Sequence, residues 1–239
     1  MITYHQLRTN PRQFLALTGL TLTEFNLLLT PFRQAYQRRY PNTYQTLAGQ
    51  PRQRCAGGGR HGALPSHDQK LLFVLVYLKA YPLQAVMAEL FDLSQPGVNY
   101  WLHRLLPVLH DALDELGVLP ERDPRHFAQG QSGSAAPRLI IDATERRRQR
   151  PKNPEKQALH YSGKKKTHSD KNVVVCRLPD QRIDFLSRTY EGKAHDKKIA
   201  DQEPIDYPPG TILYKDTGFQ GYEPAVKRTY QAKKKAARG

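Results

Sequence analysis

The chain has 239 residues, of which 38% are hydrophobic, which is enough for one substantial core or two modest ones. Its 37 lysines and arginines against 22 acidic residues give a net charge of +15, so a polyanion is the favoured partner and nucleic acid the first candidate. Cys55 and Cys176 lie far apart without metal-ligand spacing, and the longest apolar run, residues 71–78, is too short to span a bilayer. Disulfide frameworks, zinc sites and membrane spans are therefore excluded, and a soluble, cytoplasmic protein is expected.

Residues 1–62 are predicted to form a helical N-terminal region and a linker. Apolar residues recur at helical spacing between residues 14 and 36, with Thr21 and Thr23 as candidate caps. This region has eight arginines and one acidic residue, Glu24, so its outer surface should be positive. Residues 41–65 lack periodicity and contain three consecutive glycines, which predicts a flexible linker or loop.

Residues 63–120 carry the clearest helical pattern. One helix is predicted through residues 71–78 and a second through residues 83–90; after a break, Ser94 caps a third, which Pro107 should end or kink. Two helices joined by a short turn predict a helix-turn-helix DNA-binding domain. Its second helix should present outward residues that contact base edges or phosphates: Gln95, Asn99, Tyr100, His103 and Arg104.

The charge of this helical part leaves an alternative open. Residues 66–116 contain three basic groups against six acids, which is poor for phosphate contact. A three-helix packing module without a DNA role fits the pattern as well.

A change of character follows the predicted linker at residues 121–137. Strand patterns cover residues 139–143, 172–177, 182–188 and 211–215, and a helix is predicted at residues 195–202. The order of these elements resembles the first part of a ribonuclease-H-like α/β sheet.

Two of these strands lead directly into an aspartate. Asp142 follows three apolar residues, and Asp216 ends the strand at residues 211–215, just before glycines that break it. A carboxylate at the end of a buried strand is normally paired, hydrogen-bonded or bound to a cation, because its desolvation is costly. The pair predicts a shared metal site, although either aspartate alone fits a turn cap equally well.

A strongly basic insertion adjoins Asp142. From Glu145 to Lys171 there are ten basic residues against three acids. Such a segment neutralises a DNA backbone while the acids hold a metal, although a solvated loop with the same composition is the alternative. Tyr161, Ser162, Gly163 and His168 add groups that stack on bases or bond phosphate, which favours the DNA interpretation.

Five motifs in order carry a resemblance to a known family: I-D-A-T-E, R-P-K-N-P-E-K-Q, Y-S-G-K-K-K-T-H, Y-E-G-K-A-H-D-K-K and K-D-T-G-F-Q-G-Y. Over about residues 66–239 the chain resembles the DDE transposases of the IS5 group of insertion sequences. The resemblance implies a ribonuclease-H-like catalytic domain over residues 138–239 that uses two Mg²⁺ or Mn²⁺ ions. It also implies cleavage and joining of double-stranded DNA, at transposon ends and target, by a homo-oligomer.

The same resemblance assigns roles to individual residues. Asp142 is similar to the first catalytic acid of the family and Asp216 to the second. Our hypothesis is that Asp142 bridges the two metal ions and that Asp216 holds one of them. Carboxylates suit this task because Mg²⁺ prefers hard oxygen ligands that leave positions open. The resemblance also implies accessory positions at His195 and Asp196 and a basic DNA-binding strip at Lys164, Lys165 and Lys166. Glu145, close to Asp142, is a further candidate accessory residue, and Arg146 and Arg147 of the basic insertion are further candidates for contact with DNA.

The third acid of the family, a glutamate on a helix after a basic stretch, has no counterpart before Gly239. Glu203 and Glu223 come too early in the order of elements. The sequence therefore predicts a truncated transposase, incomplete at the C-terminus, that needs a missing segment for activity. The alternatives are an inactive DNA-binding inhibitor of the complete enzyme and an RNA-associated basic protein, although the latter does not explain the paired aspartates.

Overall fold

The computed structural model describes residues 1–41, 49–51, 53, 64–129 and 136–232. These residues form two compact units, Met1–Leu119 and Pro120–Gly239, and each unit has its own hydrophobic core. Most of the linker predicted at residues 41–65, including its glycines, lies outside the described residues.

Helices alone make up the regular structure in the described part of the first unit. They are α1 (Tyr4–Leu7), α2 (Pro11–Thr18), α3 (Leu22–Arg39), α4 (His67–Ala80), α5 (Gln84–Phe91) and α6 (Gln95–Glu115). Thr21 caps α3 through a capping box with Glu24, as the sequence predicts for Thr21. Ser94 caps α6 by accepting a hydrogen bond from the Gly97 N–H, and Asp92 closes α5 in the left-handed conformation.

The core of this unit joins the N-terminal helices to the predicted helix-turn-helix. Phe14, Phe25 and Phe32 are fully buried together with apolar residues of α4 to α6. Trp101, the only tryptophan in the chain, packs half-buried against this core, with the Lys70 ammonium 5.5 Å from its ring centroid. Pro107 does not end its helix, because α6 continues to Glu115 with Pro107 inside it. A kink at Pro107, the other predicted outcome, stays a prediction.

No single helix in the described residues is long and apolar enough to cross a membrane. Together, α2 and α3 have the length and apolar composition of a membrane span, but the two helices are bent by 54° relative to each other.

The second unit is built on one mixed sheet. Its strands are β1 (Arg138–Arg147), β2 (Tyr161–Ser162), β3 (Thr167–Arg177), β4 (Ile183–Leu186), β5 (Tyr190–Glu191), β6 (Ile212–Lys215) and β7 (Arg228–Gln231). The order is β2-β3-β1-β6-β7, and β4 and β5 also pair with β3. β1 runs antiparallel to β3 and parallel to β6, which in turn runs parallel to β7. Two helices accompany the sheet, α7 (Pro154–His160) and α8 (Asp196–Gln202).

The four predicted strands and the predicted helix are all present, but the basic insertion differs from expectation. It is not a long loop, because β1 continues through Arg146 and Arg147 and β3 begins at Thr167, with α7 and β2 between them. Asp170 and Ser169 of β3 pair with these two arginines and complete the hydrogen-bonded ladder. Part of the predicted linker also packs into this unit, since Phe127 is buried in its core.

The two faces of the sheet differ in character. Residues alternate between the faces along each strand, so Leu139, Ile141, Val175 and Leu213 share the buried face with Ile199 of α8. Asp142 follows Ile141 in β1, so its side chain lies on the opposite face of the sheet.

Candidate active site and nucleic-acid interface

Asp142 lies in the middle of β1 with an exposed side chain. The expectation that it ends a buried strand at an inward position is therefore wrong, because β1 extends to Arg147 and the apolar core covers only the other face. Its Oδ1 accepts a hydrogen bond of 2.7 Å from the Ala143 N–H. Burial and then the charge of Asp142 raise the pKa of the Cys176 thiol, as expected for neighbours on this face.

Asp216 follows β6 directly and is also exposed. Its Oδ1 accepts a hydrogen bond from the Gly218 N–H, which caps the short 3-10 helix Thr217–Phe219. Gln231 of β7 donates from Nε2 to the Asp216 backbone carbonyl at 2.6 Å, which ties this corner to the neighbouring strand. Part of the turn-cap alternative is thus correct, since Asp216 does cap a turn.

The register of β1 and β6 brings the two aspartates together. Ile141 pairs with Lys215, so Asp142 and Asp216 are the next residues on two adjacent parallel strands. Neighbouring strands are about 4.8 Å apart, which makes the two backbones immediate neighbours. Among the residues that the structure describes, neither carboxylate forms an ion pair, although the chain is strongly cationic.

A buried lysine organises the accessory residues. The Lys171 ammonium lies 2.9 Å from Asp196 Oδ1 and 3.5 Å from Glu145 Oε1, and it donates to the Ala194 carbonyl at 2.8 Å. Burial raises the pKa of Glu145, but hydrogen bonds from Ser162 and Ser169 and the Lys171 charge outweigh it, so that pKa lies below its ordinary value. Glu145 therefore points to the buried face, away from the face of Asp142, and its charge is already neutralised.

Asp196 connects this cluster to Asp216 through a close approach at Gly218. A Cβ atom on Gly218 would lie 2.7 Å from Asp196 Oδ2 and 3.0 Å from Asp216 Oδ1. Both carboxylates thus stand against the same glycine, and only a residue without a side chain fits between them. His195, which precedes Asp196 at the N-cap of α8, is exposed and makes no capping hydrogen bond with its side chain.

Lys171 and Gly218 are site residues that the sequence analysis did not identify. No local sequence signal pointed to Lys171, because it lies among polar residues before the apolar run at 173–176. For Gly218 the signal was weak, since a glycine after a strand is explained by the turn alone.

The predicted basic strip is exposed along the sheet and its extension. Arg146 Nη2 donates to Asn172 Oδ1 at 2.8 Å, a neutral partner that leaves the arginine charge uncompensated. The lysines at 164–166 form the exposed turn between β2 and β3. In the part of the chain that the structure describes, these lysines and Arg147 make no ion pair, so their charge is available to an anion.

The predicted recognition helix is α6, and its outward stripe is only partly as expected. Gln95, Asn99 and His103 are exposed at four-residue spacing on one face. The prediction that Arg104 also points outward is wrong: it is half-buried, and its guanidinium lies 3.3 Å from the Tyr40 ring centroid. Arg104 therefore belongs to the packing between α6 and the end of α3.

The carboxylates of Asp142 and Asp216 are the type of ligand that a hard divalent cation prefers, but they are few in number. The Asp142 and Asp216 carboxylates are exposed and form no ion pair within the described ranges, and such oxygen ligands are the ones that Mg²⁺ or Mn²⁺ takes while keeping open positions. Within the described ranges, however, no group of three or more histidine, cysteine or acidic side chains is arranged to hold a metal ion. The residues present thus fit one shared ion better than two.

Two family comparisons cover most of the chain. Residues 141–238 match the family described as DDE superfamily endonuclease. Residues 62–115 match the helix-turn-helix of DDE superfamily endonuclease. No curated protein and no solved structure matches the chain at a significant level. The two matches, in this order, support a DDE-superfamily transposase with a DNA-binding helix-turn-helix.

Proposed function

We propose that this DDE-type transposase cleaves and joins DNA strands at the ends of an insertion element of the IS5 group, with Mg²⁺ or Mn²⁺ held by Asp142 and Asp216. One observation carries the proposal. The β1 and β6 register makes these two aspartates neighbours inside the segment that matches the DDE endonuclease family, and both are exposed and form no ion pair with any residue that the structure describes. Two neighbouring carboxylates repel each other, and a divalent cation bound between them removes that repulsion.

The strand arrangement supports a ribonuclease-H-like fold for this unit. A central β1 has antiparallel strands on one side and the parallel strands β6 and β7 on the other, with α8 before β6. In this arrangement the first and second catalytic acids come from the two adjacent parallel strands.

The protein contributes charge and positioning to the reaction. A divalent ion, when bound, polarises a phosphodiester oxygen and lowers the pKa of the attacking hydroxyl. Backbone N–H groups of Ala143 and Gly218 donate hydrogen bonds to the carboxylates of Asp142 and Asp216 and hold them in place. The exposed arginines of β1 and the lysines at 164–166 neutralise the DNA backbone on either side of the scissile bond.

End recognition is assigned to α6 of the first unit. Gln95, Asn99 and His103 are exposed in its N-terminal half, the part of a recognition helix that meets base edges in the major groove. Asparagine and glutamine pair bidentately with adenine, which gives sequence preference beyond phosphate contact. Since one chain supplies one such helix and one acidic pair, we expect two copies to act on the two ends of the element.

A second function is DNA binding without cleavage, as in an inhibitor that occupies the element ends. It is favoured by the absence, in the described residues, of a third metal ligand beside Asp142 and Asp216. Asp196 is the nearest candidate at Gly218, but its carboxylate is paired with Lys171.

The Asp142→Asn variant tests the proposal. With a supercoiled plasmid carrying the element ends, Mg²⁺-dependent nicking should be abolished and Mn²⁺ affinity reduced, while DNA affinity stays unchanged. Asp206→Asn is the matched control, because Asp206 is an exposed aspartate of the same unit away from this edge. Nicking by Asp142→Asn at the normal rate would refute the assignment. A native chain that binds the ends but never nicks, with or without Mg²⁺, would establish the second function instead.

A further inference from the structure

An open cavity of about 760 Å³ lies beside the turn between β2 and β3, at the far end of the sheet from the buried core. α7 and the loop after β5 form its walls. The side chains that define it are cationic, aromatic or amide groups: Arg150, Gln157, Tyr161, His168 and Lys193. No carboxylate is found among the described residues that line it. Its volume is within the range of small-ligand clefts and is sufficient for one nucleotide.

Tyr161 provides a prepared aromatic surface in this cavity. It is paired directly with His168 in the β2 and β3 register, and the two rings meet edge to face with centroids 5.6 Å apart. The tyrosine is nevertheless 44% exposed. A ring that is held in place by its neighbour and open to solvent loses little conformational entropy when a base stacks on it.

Two cations flank this ring with their charges uncompensated. Arg150 donates from Nε and Nη2 to Gln157 Oε1 at 3.0 and 2.8 Å, a neutral acceptor that orients the guanidinium. The Lys193 N–H donates to the Leu159 carbonyl at 3.1 Å, which fixes its loop against α7. Neither side chain forms an ion pair within the described ranges, so both are free to contact a phosphate.

The position of the cavity relates it to Asp142. His168 precedes Val174, the register partner of Asp142, by six positions along β3 and lies on the same face. At about 3.3 Å per residue the separation is about 20 Å. That distance corresponds to about six base pairs of B-form DNA laid along the strand.

We propose that this cavity binds one unpaired nucleotide of a DNA strand, with its base stacked on Tyr161 and its phosphate between Arg150 and Lys193. The nucleotide lies about six base pairs from the phosphodiester at Asp142. A base within a duplex has both faces covered by its neighbours, so it stacks on Tyr161 only when it leaves the helix or comes from a frayed end. The inference rests on the proposed function for the direction and spacing of the DNA, but the stacking site is independent of catalysis.

Binding without divalent metal tests the proposal apart from cleavage. A fluorescein-labelled oligothymidylate about 12 nucleotides long is compared with a duplex of equal length by fluorescence anisotropy. Tyr161→Ala should weaken single-strand binding by about tenfold or more and duplex binding by less than about twofold, and Tyr161→Phe should bind as the native protein does. Tyr81→Ala removes another exposed tyrosine, in the first unit, and serves as the matched control.

Each remaining outcome has a defined meaning. If Tyr161→Ala weakened the binding of single strand and duplex equally, the cavity would be only a phosphate contact and the proposal would be overturned. No weakening of either would overturn it as well. Tighter binding of the matching RNA strand would make RNA the occupant and also overturn it. If single-strand binding depends on Tyr161 but the native chain never nicks element ends, the proposed function fails and the nucleotide site stands.

Discussion

Gly218 provides the sharpest test of the candidate active site. Alanine there would bring Cβ to 2.7 Å from Asp196 Oδ2 and 3.0 Å from Asp216 Oδ1, whereas ordinary contacts begin at 3.4 Å. The two carboxylates must therefore retreat by about 0.7 and 0.4 Å, which exceeds or approaches the tolerance of a catalytic constellation. We expect Gly218→Ala to slow Mg²⁺-dependent nicking about 10- to 100-fold and to weaken Mn²⁺ binding.

The assay is single-turnover nicking of a plasmid carrying the element ends, with Mn²⁺ titration as a second measurement that does not need turnover. DNA affinity should be unchanged, because the basic side chains that supply it lie elsewhere. Gln220→Ala is the matched control, since Gln220 is exposed just after the same turn. Native nicking and native Mn²⁺ affinity in Gly218→Ala, with folding intact, would show that Asp216 is not a metal ligand.

Three further predictions concern other parts of the molecule. Lys171→Met should lower the free energy of unfolding by about 3 kcal/mol in urea titrations, because the half-buried carboxylates of Glu145 and Asp196 lose their counter-charge. The same substitution at the exposed Lys198 should have little effect. Because the folded-state pKa of Glu145 is depressed, ionised Glu145 stabilises the folded protein at neutral pH, and this contribution is lost as the pH falls through that pKa. Lys171→Met should therefore make the free energy of unfolding less dependent on pH on the acid side. Asn99→Ala should weaken binding to element ends by about tenfold while leaving unrelated duplexes unaffected, and equal loss on both would refute base contact. Alanine at residues 164–166 should weaken all duplexes alike and reduce the salt slope by about one for each lysine that contacts phosphate; an unchanged slope would exclude them.

Local patterns were sufficient to predict the main helices of the first unit and four strands and one helix of the second. Helical periodicity and the Ser94 cap identified α4 to α6, and short apolar runs identified the strands that carry Asp142 and Asp216. The neighbourhood of the two aspartates was also predictable, because an acid directly after each of two apolar runs brings the acids together once the runs lie side by side as parallel strands, even though β1 continues past Asp142.

Contacts between distant parts of the chain were not predictable. Charged residues such as Arg147 continue β1 because their backbone groups pair with those of β3 on the neighbouring strand. No local sequence pattern reveals such a partner. Arg104 turns inward because Tyr40, far away in sequence, offers its ring, although helical spacing alone places it near the surface. Pro107 remains inside α6, where tertiary packing on both sides outweighs the lost backbone hydrogen bond.

The placement of Trp101 makes the two halves of the chain spectroscopically separable. The second unit contains tyrosines but no tryptophan, so indole emission excited at the red edge reports only the environment of the helical unit. Far-ultraviolet circular dichroism, in contrast, records the sheet and the helices together. Diverging melting curves from these two signals would reveal in the intact polypeptide whether one half loses its structure before the other, without cutting the chain or attaching a dye.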